Sequence, residues 1–175
     1  MRNGRKCFNI SRNWRKRRND CVFTVFFLEG KSTKGKEVLM DCLKVLLVSF
    51  AYPYGVPEDA DDDYWGGFVF DCRLMPDPHG DTSLRGYSGL DKPVIDFFER
   101  HRAQVDRFLD AAESLVRQSI EVYLKNGRDF LQVAFGCRGG HHRSVYLAER
   151  FAERLTGTAG IEIEVRHTAR QNWNA

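Results

Sequence analysis

Between Gly136 and Ser144 the chain reads Gly-Cys-Arg-Gly-Gly-His-His-Arg-Ser. Cys137, Arg138, His141, His142, Arg143 and Ser144 crowd around the pair Gly139-Gly140, and this mixture suits an anion. Glycines reach backbone conformations that other residues avoid, so successive amides can turn towards one point. The apolar run Phe130 to Phe135 leads in, and a helical pattern from Val145 to Leu155 follows. That helix should begin near Arg143 or Ser144, where its first amides lack intrahelical partners and carry partial positive charge. Arg143 adds a planar fork for two phosphate oxygens, and Ser144 can cap the helix or donate to the anion. The segment is expected to be a phosphate-binding strand-loop-helix.

The same residues permit a second chemistry. Cys137-x5-Arg143-Ser144 has the spacing of cysteine phosphatases, in which a thiolate attacks phosphorus and the arginine holds the oxygens. Nearby cations and a helix N-terminus would favour the thiolate. A general acid would also be needed, and Asp71, Asp77 and Asp81 are the candidates.

The elements that must position this loop are clear in outline. Residues 44–50 and Phe68 to Cys72 read as strands, separated by a loop containing the acidic run Glu58 to Asp63. That run is a candidate surface for a protein partner. Met75 to Leu90 is a long loop punctuated by Pro and Gly, and loops of this length are often functional. Asp91 and Pro93 open a helix, and apolar residues recur at helical spacing from Val94 to Tyr123, as one helix ended by Asn126-Gly127. Ile161, Ile163 and Val165 alternate with Glu162 and Glu164 as a half-buried strand. The order implies a single α/β domain, a mixed sheet flanked by helices.

The 175 residues, 42% hydrophobic and 13% aromatic, suffice for one sizeable core. A net charge of +3 permits a polyanion partner without requiring one. Residues 1–43 are read as a basic N-terminal extension, poorly ordered or partly structured, and 44–175 as the domain. Met40, directly before the strand pattern, is an expected translation start. Val22 to Leu28 is too short for a signal peptide's core with its flanks, and no run approaches the about 18 apolar residues of a membrane span. Cys7, Cys21, Cys42, Cys72 and Cys137 are scattered and odd in number, which fits a reducing cytoplasm better than a disulfide framework or a zinc site. No metal or cofactor is expected. Gly30 to Lys36 matches G-x-x-x-x-G-K, but Glu37 stands where a P-loop needs Ser or Thr, so the match is read as coincidence.

The run Val133-Ala-Phe-Gly-Cys-Arg-Gly-Gly-His-His-Arg-Ser-Val-Tyr146 resembles the C-terminal domain of the bacterial RNase adapter family RapZ. Phe70-Asp-Cys-Arg-Leu-Met-Pro-Asp-Pro78, Gly89-Leu-Asp-Lys-Pro-Val94, and Ser49-Phe50 with Tyr54-Gly-Val-Pro57 and Asp59-Ala-Asp61 follow the family order. The resemblance covers roughly residues 44–168. It implies a phosphofructokinase-like α/β fold and a regulatory binding module that takes small RNA and a phosphosugar, glucosamine 6-phosphate. The family's N-terminal nucleotide-binding domain has no counterpart here, so nucleotide binding is not carried over. By this reading Arg143, Ser144 and the segment Cys137 to His142 hold phosphate, and Asp71, Arg73 and His79 face it from other loops. Asp71 and Arg73 also have a plain alternative, pairing with each other. Arg166, His167 and Arg170 stand for the family's basic C-terminal end and its RNA contact. Arg138 replaces a small residue usual in the family, and His141 a Lys or Gln, which marks where ligand contacts differ. Self-association is left open.

Overall fold

The computed structural model describes residues 14–17, 20–29, 32–58 and 66–173. They fall into two compact units. The smaller is an antiparallel sheet of β1 (Trp14–Arg17), β2 (Asp20–Glu29) and β3 (Ser32–Asp41), in the order β1-β2-β3. Phe26 pairs with Gly35, and Glu29 with Ser32. The stretch Val22 to Leu28 thus lies within β2. The G-x-x-x-x-G-K match runs into β3, a strand, where a P-loop would run into a helix. Cys42 is disulfide-bonded, contrary to the expectation of reduced cysteines, whereas Cys72 and Cys137 are free.

The larger unit is the α/β domain. β4 (Leu43–Ala51), β5 (Gly67–Asp71), β6 (Phe130–Cys137) and β7 (Ile161–His167) lie in the order β5-β6-β4-β7. β4 and β5 both run parallel to the central β6. Lys44 meets Glu164, and Ser49 meets His167 and Thr168, so β7 runs the same way beside β4. The sheet is therefore parallel where a mixed one was expected. Near-continuous apolar runs such as Val45 to Val48 reflect this, because parallel strands are buried on both faces.

Three helices flank the sheet: α1 (Lys92–Arg100), α2 (Arg102–Lys125) and α3 (Arg143–Leu155). The single helix expected over this first stretch is two, broken at His101. Its φ of −109° and ψ of 20° leave the helical region. Its Nδ1 lies 2.8 Å from the Phe97 carbonyl oxygen, an acceptor the α-helical ladder would otherwise use. Apolar periodicity passes through the break unaltered, so it gives no sign of it.

Along α2, Val105, Leu109, Ala112, Val116 and Ile120 form the buried stripe. Phe70 of β5 and Phe135 of β6 meet Phe108 of α2 and Phe151 of α3 at ring separations of 5.3–6.1 Å. On the other face Leu46, Val48, Phe50 and Ala134 cluster with Tyr52 and Phe130. Arg154 ties α3 to α2 through Asp106, Asp110 and Glu113, and Arg117 donates to the Arg154 carbonyl. The orientation of α3, and hence of its first turn, is fixed from its far end.

Candidate anion-binding site at the start of α3

The register brings the carboxyl ends of three strands level. Ala51 pairs with Cys137, and Asp71 with Gly136. The chain beyond each strand therefore gathers at one end of the sheet, the usual ligand end of parallel α/β folds.

Beyond β6 the loop turns at Gly140, with φ of 61°. A Cβ there would sit 2.6 Å from the Ala169 methyl and 3.0 Å from that of Ala51. Gly140 thus needs glycine for both conformation and space. Gly139 needs neither, since its φ is not positive and an added Cβ would meet nothing within 4 Å. Only one of the two expected glycines is therefore required. From the facing loop Gly89 comes against the α3 N-terminus, and its amide donates to the His141 carbonyl at 2.8 Å. A Cβ on Gly89 would overlap the His142 carbonyl and the Tyr146 amide.

Cys137 and Ser144 lie beneath the loop. The Cys137 residue is 2% exposed, its Sγ is 3.1 Å from the Ser144 hydroxyl, and the Gly140 amide donates to it. Ser144 is fully buried, and no side chain caps α3. The first-turn amides of the helix consequently keep their positive end uncompensated.

Arg143 stands at the first position of that helix, with its side chain 9% exposed. Its Nη2 meets Asp77 Oδ2 at 2.9 Å, and Nη1 donates to the Arg73 carbonyl at 3.3 Å. Nε has no partner. His142, also buried, leaves its Nε2 without one. These are the two buried, unpartnered side-chain polar atoms found among the described residues. Both belong to the loop, where each costs free energy unless a ligand or water meets it.

Asp71 and Arg73 form a bidentate pair at 2.6–3.0 Å, and Arg73 lies 4.0 Å over the Tyr52 ring. The Arg73 fork therefore holds the Asp71 carboxyl below its usual range. His79 is exposed, its ring 6.4 Å from that of His142. The loop from Asp71 to Leu84 is three single turns of 3-10 helix, each started by an aspartate accepting from the amide two residues on: Arg73, His79 and Ser83. Asp91 starts α1 by position, but its carboxylate turns back to the Ser88 amide and hydroxyl.

The C-terminal segment closes the other side. Trp173 Nε1 donates to the Gly140 carbonyl at 2.9 Å, and the indole stacks on His141 at 5.4 Å. Arg170 lies over the same indole, and Arg138 is exposed at the loop tip. Arg166 is exposed and paired with Glu164. His167 faces inward: Nδ1 is 2.8 Å from Ser49 Oγ and Nε2 is 3.0 Å from Glu149 Oε1. Of the three expected RNA contacts, the arginines are on the surface and the histidine ties β7 to β4 and α3. Trp173, Ala169 and Gly89 were not read as site residues, and Asp77 was read only as an acid. The one sequence sign for Asp77 is that Asp77-Pro-His79 repeats the spacing of Asp71-Cys-Arg73.

The profile of the RapZ C-terminal domain matches residues 43–171. The chain belongs to this family. It is 42% identical over 125 residues to the RNase adapter protein RapZ of Yersinia pseudotuberculosis serotype O:1b, covering 71% of the chain and 41% of that protein. A nucleotide-binding protein of Histophilus somni strain 2336 is 36% identical over 141 residues, 81% of the chain and 44% of the relative. The chain thus spans less than half the length of the curated relatives it matches. The matched region contains β4 to β7, all three helices and the loop. No described helix of this RapZ-family chain is long and apolar enough to cross a membrane. The acidic run lies outside the described residues beyond Glu58.

Two predictions follow from the loop. Gly140→Ala should lower stability by about 2–4 kcal/mol, from strained φ and overlap together, while Gly139→Ala stays within about 1 kcal/mol of wild type by urea unfolding. Equal losses would contradict this account. The second concerns pH. Burial lowers the pKa of His141 to about 4 and lowers those of His142 and His167, the last partly offset by Glu149. The fold favours neutral rings, so their contribution is complete above about pH 6.5 and is lost as pH falls towards 4. The carboxyls held low, Asp71, Asp81, Asp91 and Glu164, lose their contributions only at lower pH. The Tm should fall between pH 6.5 and 4.5, and a flat profile there would refute it.

Proposed function

We propose that the chain is a regulatory binding module that holds a phosphorylated sugar at the start of α3 and meets small RNA on the surface beside it. The observation that carries this reading is the pair of buried, unpartnered atoms, Arg143 Nε and His142 Nε2, beside an uncapped helix N-terminus. A cation at the first position of a helix is repelled by the helix's own positive end. Both charges are relieved together by an anion, and a phosphate offers oxygens enough for the guanidinium and the first amides. In this reading Asp71, Arg73 and His79, on the facing loop, meet the sugar, with the Asp71–Arg73 pair opening to do so.

Membership of the RapZ C-terminal family supports a regulatory module, and the relatives' name supports RNA or protein partners. In this reading Arg138 and Arg170, both exposed, contact RNA phosphates, with Arg166 on β7. The phosphatase reading has no support: the Cys137 thiol is covered by the loop and occupied by Ser144 and the Gly140 amide.

A thermal-shift screen over phosphosugars that includes glucosamine 6-phosphate tests the ligand. At about a hundredfold excess over Kd the Tm should rise by roughly 5–10 °C, and Arg143→Ala should abolish the rise. No shift with any phosphosugar would remove the proposal. RNA affinity should fall steeply as salt rises from about 50 to 200 mM, because it rests on phosphate contacts. Salt-insensitive binding, or none near physiological ionic strength, would remove the RNA arm.

A further inference from the structure

We infer that Asp77 holds the ligand's place on Arg143, so that a bound phosphate must displace it and thereby release the segment 75–81. The inference rests on the phosphosugar reading above and adds its regulation.

The geometry is asymmetric. The Arg143 side chain is 9% exposed and anchored by α3, whereas that of Asp77 is 45% exposed on a loop. Of the two partners in this ion pair, the arginine is fixed and the aspartate can leave. Asp77 occupies Nη2 at 2.9 Å, while the neighbouring Nε of the same guanidinium is unpartnered. A carboxylate seated on both would leave no nitrogen of the guanidinium without a partner. Asp77 is held short of that seat because its Oδ1 also accepts from the His79 amide, 3.1 Å away, as the start of the turn Pro78–Gly80. The contact is therefore an incomplete one, made by a residue already committed to its own turn.

A phosphate monoester has what Asp77 lacks. It carries up to two charges and three free oxygens, enough to span Nη2 and Nε and still reach the amides of the first turn. Of the neighbouring guanidinium groups among the described residues, Arg73 is already taken by Asp71 and Arg85 donates to the His79 carbonyl. Once Asp77 leaves Arg143, the turn bearing His79 loses its tie to the helix. Met75 and Pro78, buried in this state, belong to the same segment. Ligand occupancy thus changes a surface, which a regulatory module requires.

The test uses the full chain with glucosamine 6-phosphate. Calorimetric affinity of Asp77→Asn, which keeps an acceptor for the His79 amide, should exceed that of wild type about five- to tenfold. Asp96→Asn, which removes a carboxylate of α1 that pairs with Lys92 and does not touch Arg143, should leave the affinity unchanged. Amide hydrogen exchange across 75–81 should rise when the sugar binds wild type, against the protection that ligands ordinarily confer. If wild type binds and Asp77→Asn is no tighter, or if 75–81 becomes protected, the displacement is wrong and the phosphosugar reading stands. If neither protein binds, both fall. Should Asp77→Asn fold poorly, Asp77→Ser, which also retains an acceptor, gives the same comparison.

Discussion

A guanidinium buried in the first turn of a helix is a costly arrangement. The helix presents its positive end there, the charge has little water around it, and the two repel. Arg143 is in that position, and much of the domain is arranged to keep it there. Arg154, at the other end of α3, is clamped by Asp106, Asp110 and Glu113, so the helix cannot tilt to relieve the strain. Ser144, expected from the sequence as a candidate cap, is instead the second residue of the helix and is turned inward to Cys137. Partial relief comes from Asp77 and the Arg73 carbonyl, and Nε keeps no partner.

The backbone around this charge is held by close packing. Gly140 rests on Ala51 and Ala169, Gly89 on the His142 carbonyl, and Trp173 on the Gly140 carbonyl. These contacts come from the ends of β4 and β7 and from the loop before α1. The parallel sheet brings them together because its strands end level at Ala51, Asp71 and Cys137. Interiors packed this tightly shift between discrete arrangements more readily than they deform. Each 3-10 turn of the facing loop is started by its own aspartate and also sets one residue, Cys72, Pro78 or Leu84, into the interior.

What the sequence revealed was what is local. The apolar run of β6, the glycine turn and the helix beginning at Arg143 all follow from spacing and residue type, and the structure places α3 where that spacing does. The break at His101 was hidden, because a single histidine taking one carbonyl leaves the apolar stripe from Val94 to Tyr123 intact. The antiparallel strands β2 and β3 are hidden too, because the apolar run Val22 to Leu28 after a basic stretch is also the pattern of a short export signal. At the site, the Asp71–Arg73 pair was foreseen as an alternative because the residues are two apart. Asp77 on Arg143 spans 66 positions of sequence, and its local signal only says that it starts a turn. The family resemblance casts His167 with Arg166 as part of a basic RNA-contacting end, yet strand alternation sends the two to opposite sides, Arg166 to solvent and His167 to Ser49 and Glu149.

The indole of Trp173 has one edge bonded to the loop and one face on an imidazole. Indole emission responds to the polarity around its N–H and is quenched by a nearby protonated imidazole. The protein therefore carries an optical sensor against its glycine loop, and tryptophan emission should change when the Gly140 carbonyl shifts or His141 takes up a proton.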